Sequence, residues 1–352
     1  MIKPSFLKLI VTSVFLASSF SVFAQEGQLS IPPMPTNISN NAVAELNENL
    51  YSFSGLGQGK THNDILSVAL EFNAASGIWS KLPNVLGNKH RLASIAVTVK
   101  DRIFVIGGYT VGNDNTEAST PEVFAFNPIT QEYKRRADMP IPVDDTVAFP
   151  YMDRYIYLIS GWHDTGNVSS VQLYDTLEDK WSVATPYPGT PVFGHAGGIV
   201  GNKFVITHGV GVVGMVEGRR QFDTVAESYL GIIDPNDPQK ITWAKLPETP
   251  TLPLYRMAAM GDVDTNRIVF SGGATNAYNY NGIGYDGQPS VPSAKVFSWE
   301  FDTNTWRQWP DKATATMDHR GLLKLGDHYI TLGGMEGEQR VSASVHIFQL
   351  GE

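Results

Sequence analysis

Ile103-Phe-Val-Ile-Gly-Gly108 decides the fold, because the same phrase, a short apolar strand closing on glycine, returns five more times. It recurs as Leu50-Tyr-Ser-Phe-Ser-Gly55, Ile156-Tyr-Leu-Ile-Ser-Gly161, Phe204-Val-Ile-Thr-His-Gly209, Ile268-Val-Phe-Ser-Gly-Gly273 and Tyr329-Ile-Thr-Leu-Gly-Gly334. The closing glycines lie 53, 53, 48, 64 and 61 residues apart. Ahead of each stands another strand of period two, such as 92–99, joined by a tight polar turn like Lys100-Asp101-Arg102. Behind each comes an alternating strand that ends near an aromatic: Val123-Phe-Ala-Phe-Asn-Pro128 to Tyr133, Val171-Gln-Leu-Tyr-Asp175 to Trp181, Val296-Phe-Ser-Trp-Glu-Phe-Asp302 to Trp306. Trp79 and Trp243 hold the same place in their units.

Each unit is therefore a four-stranded antiparallel meander of roughly 50 to 60 residues, the size of one propeller blade. The chain reads as all-β, a single six-bladed β-propeller over 25–352, with blades at about 37–84, 85–140, 141–188, 189–248, 249–311 and 312–350. An irregular β-sandwich is the competing reading. The sixth unit offers only three strands before the chain stops. Leu29-Ser30-Ile31-Pro32-Pro33-Met34-Pro35 resembles the outer-strand segments at Trp79-Ser80-Lys81-Leu82-Pro83 and Trp243-Ala244-Lys245-Leu246-Pro247. The N-terminal stretch 28–35 is thus expected to join the last blade as its outermost strand and cover an open edge.

Composition narrows the chemistry. The 352 residues include 33 Gly, 38 aromatics and no Cys, which removes disulfides, Cys-ligated zinc, iron–sulfur clusters and thiol nucleophiles. Residues 1–24 carry Lys3 and Lys8, then the apolar run 9–17, and end Val22-Phe23-Ala24 before Gln25, which reads as a secretory signal peptide. Loss of Lys3 and Lys8 with it takes the formal charge from −9 to −11. Nucleic acid and anionic membranes are poor partners for such a body. The expected location is the periplasm or exterior of a bacterium, with no membrane attachment after cleavage.

Antiparallel pairing puts the start of each innermost strand beside the glycine end of the second, so those starts form a ring at one mouth of the central channel. Counting back from the glycines gives His90-Arg91, Asp144-Asp145, His195, Tyr255-Arg256 and His319-Arg320, with Asn40-Asn41 for the first blade. The offset is 17 for Arg91, Asp144 and Arg256 but 14 for His195 and Arg320, so turn lengths differ among blades. The expectation is a basic funnel in an acidic protein, suited to a carboxylate or polyhydroxylated ligand through forked arginine contacts. A purely structural arginine ring is the alternative. Long segments at 110–121, 210–227 and 274–293 follow three of the glycines and bring Glu217, Arg219, Arg220, Tyr278, Tyr280 and Tyr285 to the same face.

Three motifs fail. Gly55-Leu-Gly-Gln-Gly59-Lys60-Thr61 lacks the glycine a phosphate loop needs at Ser54, and the strand 65–70 follows where a helix is required. No His pattern with metal-ligand spacing and no serine nucleophile elbow is present, so neither metal nor cofactor is expected.

Paired glycine after an apolar strand, then an aromatic strand, then Trp about 25 residues on resembles the kelch family, over nearly all of 28–350. The copper oxidase on that scaffold uses a Tyr cross-linked to Cys, so the absence of Cys excludes galactose oxidase activity. Gly333-Gly334-Met335-Glu336 and the Tyr/Asn-rich run from Gly272-Gly273 to Tyr285 also resemble the periplasmic N-acetylneuraminate epimerase (sialic acid mutarotase) family. That resemblance implies an isomerase. Val210 stands where the family has its catalytic Glu, while Arg219 or Arg220 matches its downstream Arg. Under an enzyme reading, general acid and base roles fall to His195 or His319 with Glu217. Under a binding reading the same face takes a sugar, a small acidic molecule or a periplasmic protein.

Overall fold

The computed structural model describes residues 29–87 and 90–351. From residue 31 onward the described residues form one compact unit. The stretch 1–24, expected to be a leader, lies outside the described residues, among which no helix is long and apolar enough to cross a membrane.

Five four-stranded sheets and one three-stranded sheet follow one another along the chain as the six blades of a β-propeller. The innermost strands are Ala42–Leu46, Ile95–Val99, Val147–Tyr151, Ala196–Val200, Ala258–Asp262 and Leu323–Leu325. Every neighbour within a blade pairs antiparallel, as in Ile95↔Ile106 through Val99↔Arg102. Alternating side chains on the two faces of each sheet pack against the next blade. One cluster joins Phe149 and Tyr157 of blade 3 to Phe204 and Ile206 of blade 4, and another joins Val205 of blade 4 to Phe270 and Trp299 of blade 5.

The outer aromatics of blades 2, 3 and 5 tie each of them to the blade before it, whereas Trp243 Nε1 of blade 4 is buried without a partner among the described residues. Tyr133 Oη donates to the Pro83 carbonyl at 3.0 Å, Trp181 Nε1 to Ala137 at 2.9 Å and Trp306 Nε1 to Pro247 at 2.9 Å. Trp79 of blade 1 makes the same bond to Pro32 at 2.8 Å, so the N-terminal segment stands where the preceding blade should be. Met34 N–H and Ile38 N–H then donate to the Ala343 and Ser342 carbonyls of blade 6. The expected outermost strand at 28–35 is nevertheless not formed among the described residues, and blade 6 remains three-stranded. Closure rests on those bonds, because three prolines at 32, 33 and 35 lack the N–H groups a ladder needs.

Blades 4 and 5 meet backbone to backbone at the channel wall. A Cβ on Gly261 would lie 1.8 Å from the Ile199 carbonyl oxygen, and one on Gly198 would lie 2.4 Å from Gly261 N. Gly261→Ala must push two sheets apart and should cost about 3 kcal/mol, at the upper end for an overpacked interior. Urea unfolding should show the loss, while Gly337→Ala, which meets open space, should change little.

Candidate functional site at the loop face

One residue past each closing glycine bridges back to the chain ahead of the innermost strand: Ser39↔Leu56, Leu92↔Tyr109, Asp144↔Trp162, Phe193↔Val210, Tyr255↔Ala274 and Met317↔Met335. The residue after each of the first partners has positive φ: Asn40, Ala93, Asp145, Gly194, Arg256 and Asp318, at 49° to 68°. These six turn the chain sharply into the channel and bond around it. Ala93 N–H donates to Asn40, Asp145 to Ala93, Gly194 to Asp145, Arg256 to Gly194, His319 to Arg256 and Asn40 to Asp318, over 2.7 to 3.4 Å. The bonds close a circle through all six blades.

A buried ion cluster sits on this circle. Arg256 Nη2 donates to Asp145 Oδ2 at 2.6 Å and Nη1 to Asp318 Oδ1 at 2.9 Å. Arg320 pairs with Asp145 from the other side. Burial alone would raise Asp145, but the two guanidiniums outweigh it and hold the carboxyl below its usual value. The Arg256 guanidinium also lies 4.8 Å and 5.2 Å from the ring centroids of Tyr255 and Tyr278, so it is spent within the protein.

Two cavities flank the circle. Below it, the channel opens to about 400 Å³ between the innermost strands, lined by apolar groups with His195, His319 and Arg320. Above it, the loop face holds a pocket of about 200 Å³. Its floor is Asp144, Asp145 and Arg256, and Glu117, Arg220 and Asn279 complete the polar wall. Tyr109, Trp162, Phe193, Phe222, Tyr280 and Tyr285 supply the aromatic wall. Phe222 stacks on Tyr285 at 4.4 Å between centroids, and Trp162 packs against both Phe193 and Phe222.

The carboxyls of this pocket are unusual. Burial, and then the neighbouring Asp145, raise Asp144 well above its ordinary value, against a 2.6 Å hydrogen bond from Ser119 Oγ. Burial also raises Glu117, with Asp145 adding to it. Glu117 reaches the site on the hairpin Tyr109–Val111/Glu117–Ser119, whose turn at Gly112 to Asn115 fixes the register. Carboxyls whose proton affinity is raised are the groups suited to general-acid chemistry.

Asp144, Arg220, Arg256, Tyr280 and Tyr285 of the expected site meet in this pocket. Tyr278 is buried behind it, its hydroxyl 3.4 Å from Asp318 Oδ1, and Arg320 lies under the circle. Arg91 is elsewhere, because Leu92-Ala93 take the ring position in blade 2. Its guanidinium is buried against Glu122, the Thr120 hydroxyl and the Leu86 carbonyl. His90 Nδ1 bonds the Ile65 carbonyl.

The acid–base trio is not assembled. His195 and His319 are buried at the channel wall, whereas the segment carrying Glu217 is a hairpin, Val210–Val216 with Arg219–Thr224, that carries its turn into solvent. Arg219 is exposed on the same hairpin. The funnel is also not basic. Its carboxylates outnumber its guanidiniums, and Arg256 and Arg320 are discharged by aspartates. Among the described residues no group of His, Asp or Glu could hold a metal ion.

Comparison with known proteins agrees with the architecture. The Kelch motif model matches residues 96–140. Kelch-like protein 15 of Gallus gallus is 34% identical over 112 residues, 32% of this chain and 22% of that protein. Kelch-like protein terF of Aspergillus terreus is 25% identical over 249 residues, 68% and 50% of the two chains. Kelch domain-containing protein 3 of Rattus norvegicus is 21% identical over 319 residues, 84% and 77%. The chain thus spans about a fifth of the first of these relatives and half of the second. The solved structure titled "Structure of YjhT" superposes with a TM-score of 0.74 at 14% identity, covering 92% of this chain and 97% of that one.

Proposed function

We propose that this six-bladed β-propeller, with its Kelch motif at residues 96–140, is a binding protein for a small polyhydroxylated molecule, a monosaccharide or one residue of a glycan, held in the loop-face pocket. The observation that carries this reading is the pocket itself. A concave site walled by six aromatics and floored by hydrogen-bonding side chains matches a sugar ring, whose C–H faces stack on aromatics and whose hydroxyls need acceptors and donors. A small acidic ligand fits less well, because the floor presents Asp144 and Asp145 beside an Arg256 already paired with two aspartates. A mutarotase-like turnover at this site rests on Glu117 and Asp144 rather than on the histidines.

The channel cavity below the circle is the larger, yet its walls are mostly Val, Ala, Gly and Met, and its histidines each bond protein through Nε2, His195 to the Ile159 carbonyl and His319 to the Thr316 hydroxyl, while His195 Nδ1 has no partner among the described residues. A thermal-shift screen of neutral and charged monosaccharides tests the reading. Binding should stabilise the protein, and Trp162→Ala should weaken it about tenfold through lost stacking. Stabilisation by no sugar, or an unchanged affinity in Trp162→Ala, contradicts the proposal. On the strength of the 1–24 leader we also propose export, in which case the N-terminus of the secreted protein is Gln25.

A further inference from the structure

The pocket has acceptors in excess and few positive charges to meet them. Glu117 accepts no hydrogen bond and joins no ion pair among the described residues. Asp144 is 3% exposed, and only its Oδ2 is bonded, by Ser119; Oδ1 takes no protein partner. The positive groups nearby are committed. Arg256 is divided between Asp145 and Asp318, and Arg320 is held by Asp145 and the His319 carbonyl. Arg220 stands at the rim, donates to the Thr165 carbonyl at 2.8 Å and lies over the Trp162 ring at 5.3 Å. Around the two carboxylates stand Tyr109, Trp162, Phe222, Tyr280 and Tyr285.

Carboxyls with unfilled oxygens, Asp144 buried and Glu117 exposed at the edge, beside an aromatic wall are the two elements of ammonium recognition. The carboxylates supply charge-assisted acceptors, and the ring faces attract a cation through their quadrupoles. We propose that the ligand of the loop-face pocket carries a protonated amine, so that the site selects an amino sugar over its neutral and acidic counterparts. Glu117 and Asp144 receive the ammonium, and the aromatic wall takes the ring. This inference rests on the sugar-binding reading above and adds the charge of the ligand to it. Binding of an ammonium should release protons, because burial raises the proton affinity of both carboxyls.

Glucosamine, glucose and glucuronate place a positive, a neutral and a negative group on one ring, and titration calorimetry of the full-length protein at neutral pH and low salt separates them. Glucosamine should bind about tenfold more tightly than glucose, glucuronate should bind weakest, and added salt should narrow the gap. In Glu117→Gln and Asp144→Asn, which change charge with little change of shape, the preference for glucosamine should shrink severalfold. Thermal unfolding checks that both variants are folded. Equal affinity for glucose and glucosamine, a preference for glucuronate, or an undiminished preference in both variants overturns the charge assignment while the sugar site stands. Binding of none of the three overturns both.

Discussion

Arg256→Met should unfold in less urea than the wild type, with an expected loss of about 3 to 5 kcal/mol, the range for a buried ion pair stripped of one partner. Asp145 and Asp318 face each other across the circle through this one guanidinium. Without it Asp145 keeps Arg320, but Asp318 keeps only the Tyr278 hydroxyl at 3.4 Å. Its Oδ2 already lacks a hydrogen bond. Arg256→Lys should recover little, because a single ammonium cannot reproduce a fork that reaches two carboxylates. Asp318→Asn in the Arg256→Met background should regain part of the loss, since it removes the unpaired buried charge. A double-mutant cycle in urea measures this, and strictly additive effects would contradict the coupling. The loop-face pocket stands on Asp145 and Arg256, so sugar affinity should fall with stability.

Acid is the second large perturbation. Burial depresses His195 to about 4 and His208 to about 3, and burial, then Lys312 and other nearby cations, hold His319 well below the ordinary value. Burial keeps each ring neutral, and at His195 it outweighs the Ile159 carbonyl, which favours the charged form. At His208, Leu254 N–H donates to Nδ1 at 3.2 Å while Nε2 faces Thr249 Oγ1 at 2.8 Å. Protonating Nδ1 destroys the first bond. The unfolded chain binds these protons at about pH 6.5, the native chain only near 4 or below. Stability from these groups is therefore complete above 6.5 and is lost as pH falls from there toward the folded values.

At pH 4.5, His195 and His208 together should have removed roughly 5 kcal/mol, at about 1.4 kcal/mol per pH unit for each. Asp144 and Glu117 oppose this, because their raised carboxyls bind protons more readily in the native state. The melting temperature should fall steeply between pH 6.5 and 4.5. His208→Gln should be less stable at neutral pH but lose less on acidification. An equal slope in that variant would contradict the assignment.

The six glycine-terminated strands were enough to read the blades, because apolar alternation and a closing Gly are local signals. The ring was harder. A fixed count from the glycine cannot find it, because the distance from ring residue to closing Gly runs from 15 in Asn40, Ala93 and Gly194 to 17 in Arg256. Turn lengths set that distance, and one residue of error moves a side chain from the pocket to the channel or into a blade. Arg91, His195 and Arg320 fall one or two residues off the ring in this way, while the expected pairs Asn40-Asn41, Asp144-Asp145 and Tyr255-Arg256 each include the residue that stands on it.

Glu117, Tyr109, Trp162, Phe193 and Phe222 were not anticipated, whereas Asn279 stands in the long loop 274–293 that was expected at this face. Two of them did carry a signal: Tyr109 and Trp162 each directly follow a closing Gly, the place that bridges to the ring. Glu117 carried none, since its position depends on how one hairpin folds over the face. The sign of the funnel was legible only in three dimensions. Arginines counted along a sequence look free, whereas Arg256 and Arg320 are paired with aspartates from other blades.

A crystal soaked with whichever of glucosamine or glucose binds more tightly places the ligand directly. Its ring should lie in the loop-face pocket beside Trp162, Phe222 and Tyr285, with its polar groups within hydrogen-bond reach of Glu117 and Asp144. Density for the sugar in the channel below the circle, against His195, His319 and Arg320, would contradict the assignment of the functional face.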